Sequence, residues 1–153
     1  MEQTDDVVAI LQLQAAYADI LSRRALSELG RLFLPDAPIV LELPRRTHEV
    51  TGPQAFAEFV DRRIGGLAFF QFVVLNTVID LEEGPDPQLA TGRMHMCELN
   101  QDAVGSRMTV LFGLYQDGYT KVDNRWWFGR RRFAPLAFAD GQLEVFGYPV
   151  LDV

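Results

Sequence analysis

Cysteine and histidine are scarce in this chain: 153 residues hold one cysteine, Cys97, and two histidines, His48 and His95. A lone thiol excludes an intramolecular disulfide and the paired-thiolate spacings of structural zinc sites, so no metal centre is expected and a reducing, cytoplasmic setting fits. Basic charge is short as well. Fourteen Lys and Arg against 21 Asp and Glu leave a net charge of -7, which excludes the clustered cations of a nucleic-acid binder. The run RRR at 130–132 is expected to be structural, a solvated edge or a set of ion pairs, since only one face of a strand can carry two of the three. No apolar run approaches the roughly 18 residues of a membrane span; LAFF and FVVL, on either side of Gln71, are strand-sized. The N-terminal MEQTDD is acidic where a secretory leader is basic. Repeats, low-complexity tracts and linkers are also missing, so a single domain over residues 1–153 is expected, with no cofactor-binding motif in it.

What is present is the composition of a folded protein: 48% apolar and 23% charged residues, with 11 phenylalanines. Val7, Ile10, Leu13, Tyr17, Ile20 and Leu21 recur at steps of three and four, one stripe of a helix. Thr4, Asp5 and Asp6 suit its N-terminus, and Arg23 and Arg24 its C-terminus. Leu26, Leu29, Leu32 and Phe33 make a shorter helix that Pro35 ends. Ile39–Leu43 reads as a strand, PRRT as a turn, and Gly52-Pro53 opens a third helix with Phe56, Phe59, Val60 and Ile64, stopped by Gly65 and Gly66.

From there the pattern turns to β. Runs at 67–81, 89–99, 107–122 and 125–133 are separated by GPDP (84–87), AVGS (103–106) and Asp123-Asn124, and 142–146 is short enough to add to an edge. Helices first and hairpin-linked strands afterwards define an α+β class, with a curved antiparallel sheet wrapping around the N-terminal helices.

This order, with Tyr17 in AAYADIL, LFLPDA at 32–37, TG-P at 51–53, N-x-x-I-D at 76–80, ATGR at 90–93, GLYQDGY at 113–119 and RWWFGRR at 125–131, resembles the nuclear transport factor 2-like superfamily, in its SnoaL-like and scytalone-dehydratase-like branch. The resemblance implies a cone-shaped sheet closed by helices around an apolar pocket, a cystatin-like α+β barrel, commonly in a homodimer or larger assembly. Members that act as dehydratases, dehydrochlorinases or isomerases use an Asp and His pair facing each other across the pocket. Here the aspartate position, five residues after Tyr17, is Ser22; FFQFVV at 69–74 has no histidine; and the tyrosine of the first strand corresponds to Leu41. Phe72 or a neighbour then fills the histidine's space.

Among possible replacements, Asp19 lies about 200° around the helix from Tyr17 and faces away. His48 follows the PRRT turn and reads as a surface residue. Tyr17 is either a core residue or a hydroxyl presented to a ligand. In 107–119 one parity is apolar (Met108, Val110, Phe112, Leu114) and the other holds Gly113 and Tyr115, positions that line pockets in the dehydratases this chain resembles. In 90–99 His95 and Glu98 cannot share a face of a regular strand; the resemblance turns Met94, Met96 and Glu98 inward, with His95 and Cys97 outward. The expected ligand-binding set is Tyr17, Ser22, Phe72, Met94, Glu98, Gly113 and Tyr115, and the candidates for catalysis are Tyr17, Glu98 and His95. The main expectation is a domain lacking the catalytic pair that binds a small apolar metabolite; the alternative is a dehydratase, cyclase or isomerase using Glu98 or Tyr17 as acid or base. A third reading, implied by resemblance to the small subunit of ring-hydroxylating dioxygenases, is an interaction subunit. Partners expected are a small apolar ligand and a second copy of the chain, with neither nucleic acid nor membrane.

Overall fold

The computed structural model describes residues 2–82, 88–104 and 107–151. The GPDP turn and the end of AVGS lie outside them. Helix α1 (Glu2–Arg23) buries Ile10, Leu13, Tyr17, Ile20 and Leu21 of the expected stripe, with Val7 half-buried, and leaves Asp19 exposed in an ion pair with Arg23. It starts earlier than expected, so Asp6 does not serve its first turn. Instead Asp6 accepts hydrogen bonds from Lys121 Nζ and Trp126 Nε1, both at 2.8 Å, tying the helix to the sheet. A 3-10 turn (Leu26–Arg31) follows. Backbone bonds from Leu34 N to Phe128 O and from Phe128 N to Leu32 O then lay the chain against the strand that carries Phe128.

Strands β1 (Pro38–Leu43) and β2 (Arg46–Thr51) form a hairpin before α2 (Gly52–Ile64), whose Phe56, Phe59, Val60 and Ile64 are buried. The sequence reading missed β2, taking PRRT as a turn when Arg46 and Thr47 are already paired with Leu43 and Glu42. Its alternation is weak because it is an edge strand with only half-buried His48 and Val50 to mark it. Gly52 has φ +82° and lies where a Cβ would meet the Pro35 carbonyl oxygen at 2.5 Å, so only glycine fits this corner.

The long strands are β3 (Phe69–Leu81), β4 (Leu89–Gln101), β5 (Met108–Val122) and β6 (Arg125–Ala139), with β7 (Leu143–Val145) added to β6. Sheet order is β2-β1-β6-β5-β4-β3, and β2 and β3 remain as edges. Two expectations change here. The sheet is mixed rather than antiparallel, because β1 joins β6 in parallel over Ile39↔Arg131, Val40↔Arg132 and Leu41↔Phe133. It is also an open curve rather than a closed barrel. Strand β6 runs past Phe133 through Pro135, which is tolerated because Pro135 sits opposite Gly113 at a bulge, where the ladder is interrupted. One face of the sheet packs on α1 and α2 around Tyr17, Phe33, Phe56, Phe72, Met94, Met96 and Phe128. On the other face the C-terminal residues cross β4 and β5: Gln116 Nε2 donates to Val150 O at 3.1 Å, and Tyr148 Oη contacts His95 Nε2 at 2.5 Å.

Candidate functional site

The sheet and helices enclose a small cavity. Its walls are Tyr17 and Leu21 from α1, Leu41 and Leu43 from β1, five residues of α2 including Phe59 and Arg63, and Phe70, Glu98, Tyr115 and Phe133 from the long strands. Its volume is about 30 Å³, enough for one or two water molecules. Of the expected ligand-binding residues, Tyr17, Glu98 and Tyr115 line it.

Glu98 reaches the cavity because β4 alternates regularly, which buries Met94, Met96 and Glu98 on the helix side. The residue is 9% exposed, and among the described residues no hydrogen-bond donor meets its carboxylate. Burial raises its pKa above the usual carboxylate range, with the positive charge of Arg63 opposing. Tyr17 and Tyr115 are fully enclosed, and their hydroxyl oxygens are 3.3 Å apart. Burial pushes the Tyr17 hydroxyl up to about 12, against the nearby Arg131 cation, and pushes Tyr115 well above 10.0. Ionised Glu98 would add to both rises, so the three groups share one electrostatic neighbourhood. At neutral pH both hydroxyls therefore keep their protons.

The other expected residues sit behind this wall. Ser22 Oγ accepts from the Phe72 amide at 3.0 Å and lies 3.4 Å from the Phe72 carbonyl oxygen, so its hydroxyl clips α1 to β3 instead of facing the cavity. The Phe72 ring packs edge-on against Tyr17 at 5.1 Å. Met94 is wholly buried in the core cluster. At Gly113 the missing side chain makes room for the Phe133 ring, and a Cβ there would also lie 3.0 Å from Met96 Sδ. His95 is turned to the opposite face, toward Tyr148, while His48 is half-buried against the Phe59 ring at 5.1 Å. Among the described residues no three of His, Cys, Asp and Glu converge as metal ligands, and no helix is long and apolar enough to cross a membrane.

Behind the tyrosines lies a feature the sequence reading missed. Arg131, 1% exposed, pairs bidentately with Asp117 directly across the β5–β6 ladder, Nε to Oδ1 at 2.7 Å and Nη2 to Oδ2 at 2.8 Å. Its guanidinium carbon lies 4.2 Å from the Tyr17 ring centre, 4.0 Å from Tyr115 and 4.2 Å from Phe128. Burial disfavours the cation, but Asp117 more than offsets this and the net pKa is raised. Tyr119 donates to Asp117 at 3.0 Å, Gln14 to Tyr119 at 2.6 Å and Thr77 to Gln14 at 2.7 Å, so the pair heads a buried polar chain reaching α1 and β3. The available signal was the parity of Tyr115, Asp117 and Tyr119, which puts an acid between two aromatic residues on one strand face. Of its neighbours in the basic run, Arg132 pairs with Glu42.

Such an arrangement defines an α+β cone domain whose sheet and helices hold one carboxylate and two phenols around an internal apolar cavity. The chain belongs to the SnoaL-like domain family, whose model matches residues 2–132. Similar solved structures include a scytalone-dehydratase-like protein from Novosphingobium aromaticivorans (22% identity, 95% of each chain, TM-score 0.77). Others are the hexachlorocyclohexane dehydrochlorinase LinA-type3 from Novosphingobium barchaimii (17% identity, 96% of this chain and 97% of that one, TM-score 0.77) and a nuclear transport factor 2-like protein with a cystatin-like fold from Novosphingobium aromaticivorans (18%, 88% and 84%, TM-score 0.67). At these identities the likeness is one of fold. No curated protein matches the sequence.

Proposed function

We propose that the cavity performs general acid–base chemistry of the lyase or isomerase kind on a small apolar metabolite, with Glu98 as the proton carrier and the Tyr17–Tyr115 hydroxyls as donors to a substrate oxygen. The observation that carries this reading is Glu98: a buried carboxyl without a protein partner in an apolar cavity. Such a site keeps the proton at higher pH and makes the ionised form a stronger base. Structural stabilisation does not explain it, since an unpartnered carboxyl under an apolar roof weakens a fold. One carboxylate here takes the place of the Asp and His pair that Ser22 and FFQFVV lack. Five of the thirteen wall residues come from α2, and admitting a substrate larger than one or two water molecules requires that helix to shift outward.

The test uses an apolar ketone, 2-tetralone, whose α-protons exchange with D2O through the enolate. Base removal of the proton by Glu98, with the oxygen held by a tyrosine hydroxyl, is followed by return of deuterium. Exchange measured by proton NMR should exceed the buffer rate and fall about a hundredfold in Glu98→Gln. Equal exchange by parent and variant overturns the reading.

A second reading, a noncatalytic domain that binds the same class of metabolite or acts through protein contacts, is favoured by the cavity volume of about 30 Å³, well below the several hundred Å³ usual for ligand sites. We also propose that the chain works as a cytoplasmic homodimer, because Leu75, Val78 and Phe69 on β3 stay exposed in the monomer. Light scattering should give twice the chain mass of 17.3 kDa; a monomer at micromolar concentration refutes it.

A further inference from the structure

We infer that the groove beside the cavity is an anion-recognition site, and that the ligand of this domain is an apolar molecule bearing a carboxylate or phosphate at one end. For what happens at the ligand's inner end this rests on the acid–base reading; for the charge it rests on the groove. The groove has a volume of about 520 Å³ and shares Leu43 and Arg63 with the cavity wall, which puts it next to the inner chamber. Leu111, Pro135 and Phe138 supply apolar lining.

Three arginines meet there from two elements: Arg45 and Arg46 at the tip of the β1–β2 hairpin, and Arg63 in the last turn of α2. His48 lies beside them, and Glu144 is the single acidic residue of the lining. In a chain of net charge -7, Arg23, Arg107, Arg131 and Arg132 each pair with a carboxylate. Among the described residues Arg45, Arg46 and Arg63 do not. Guanidinium forks converging on a concave apolar surface favour a planar or tetrahedral oxyanion, which they bind through paired charge-assisted hydrogen bonds. A second unspent group lies in the same lining: the Asn100 side-chain oxygen is buried without a hydrogen-bond partner, ready to accept from a hydroxyl on the ligand. Arg63 acts on both compartments, since its charge also reaches Glu98. A ligand anchored at its head by the arginines would direct its apolar body toward the carboxyl.

Titration calorimetry of the full chain with octanoate, octyl phosphate and octanol separates charge from apolar contact. Octanoate or octyl phosphate should bind about tenfold or more tightly than octanol, the value of one charge-assisted contact pair, and the advantage should shrink with added salt. Whichever head group binds tighter identifies the anion. The variant Arg45→Gln/Arg46→Gln/Arg63→Gln changes only exposed residues, and with an unchanged circular dichroism spectrum it should bind all three probes like octanol. Equal affinity for octanol and octanoate, absence of binding by every probe, or a preference surviving in the triple variant overturns the site. The exchange assay with Glu98→Gln decides the acid–base reading separately. A protein that exchanges 2-tetralone protons yet ignores head-group charge keeps that reading and loses the anion site.

Discussion

Replacing Asp117 by asparagine tests the centre of the molecule. The change preserves shape and one acceptor oxygen but leaves the Arg131 guanidinium without a counter-charge, in a place where both side chains have no solvent exposure. One of two charge-assisted hydrogen bonds at 2.7 and 2.8 Å is lost, at about 1.5–3 kcal/mol, and the uncompensated buried charge brings the total to about 3–5 kcal/mol. The three aromatic rings within 4.2 Å of the guanidinium carbon soften this penalty without removing it. For a chain of this length the melting temperature should drop on the order of 10 °C. The double replacement Asp117→Leu/Arg131→Met removes both charges and should cost less than the sum of the two single changes, because no unpaired ion is left. Urea unfolding followed by tryptophan fluorescence and circular dichroism measures all four corners of the cycle. A loss under about 1 kcal/mol for Asp117→Asn, or strict additivity in the double variant, would refute the claim that the pair holds itself in place by mutual compensation.

Glu98→Gln should make the protein more stable than the parent at neutral pH. The folded-state proton of Glu98 is held above its ordinary 4.5, so the carboxyl's stabilising contribution is complete below that value and is lost as pH rises through the raised one. The advantage of the variant should accordingly vanish in thermal melts below about pH 4, and an advantage that grows toward acid would contradict the sign. Gly113→Ala should cost about 1–3 kcal/mol in urea melts by driving a methyl group into the Phe133 ring; a neutral effect would mean that the ring moves freely. Tyr17→Phe should cost about 1–2 kcal/mol, since its hydroxyl makes a long contact with Tyr115 and also interacts with the Arg131 cation, whereas Tyr17→Ala should cost about 3–5 kcal/mol. Comparable losses in calorimetric melts would place the stability in the hydroxyl.

Long periodic elements were legible in the sequence and short or non-local ones were not. The α1 stripe and the four long strands stand out because one face of each is packed along many residues, and the alternation of β4 was enough to bring Glu98 to the helix side. Strand β2 escaped because an edge strand with RTHEVT has little to bury. The parallel β1–β6 contact joins residues about ninety positions apart over three pairs, which no local pattern reports. The last long strand was read only to Phe133 and continues to Ala139 through Pro135, because beside a bulge proline has no ladder bond to donate. For the basic run the ion-pair alternative holds at Arg131 and Arg132; what escaped was the burial of Arg131, which only the cross-strand partner Asp117, supplied by a separate strand, makes affordable.

The open curve of the sheet also shapes how this protein fails. Strand β3, FFQFVVLNTVIDL, is the most strand-prone segment of the chain and forms one free edge of the sheet. A long apolar edge is a template on which another chain can add a strand. The native molecule guards it in two ways: the bulge between Val74 and Asn76 breaks the regular row of amides, and the Ser22 hydroxyl engages the Phe72 amide from α1. Heat or a substitution that loosens α1 removes the second guard before the sheet itself melts. Irreversible aggregation seeded at FFQFVVL is then the expected end of thermal inactivation, with the helix acting as the strand's own chaperone.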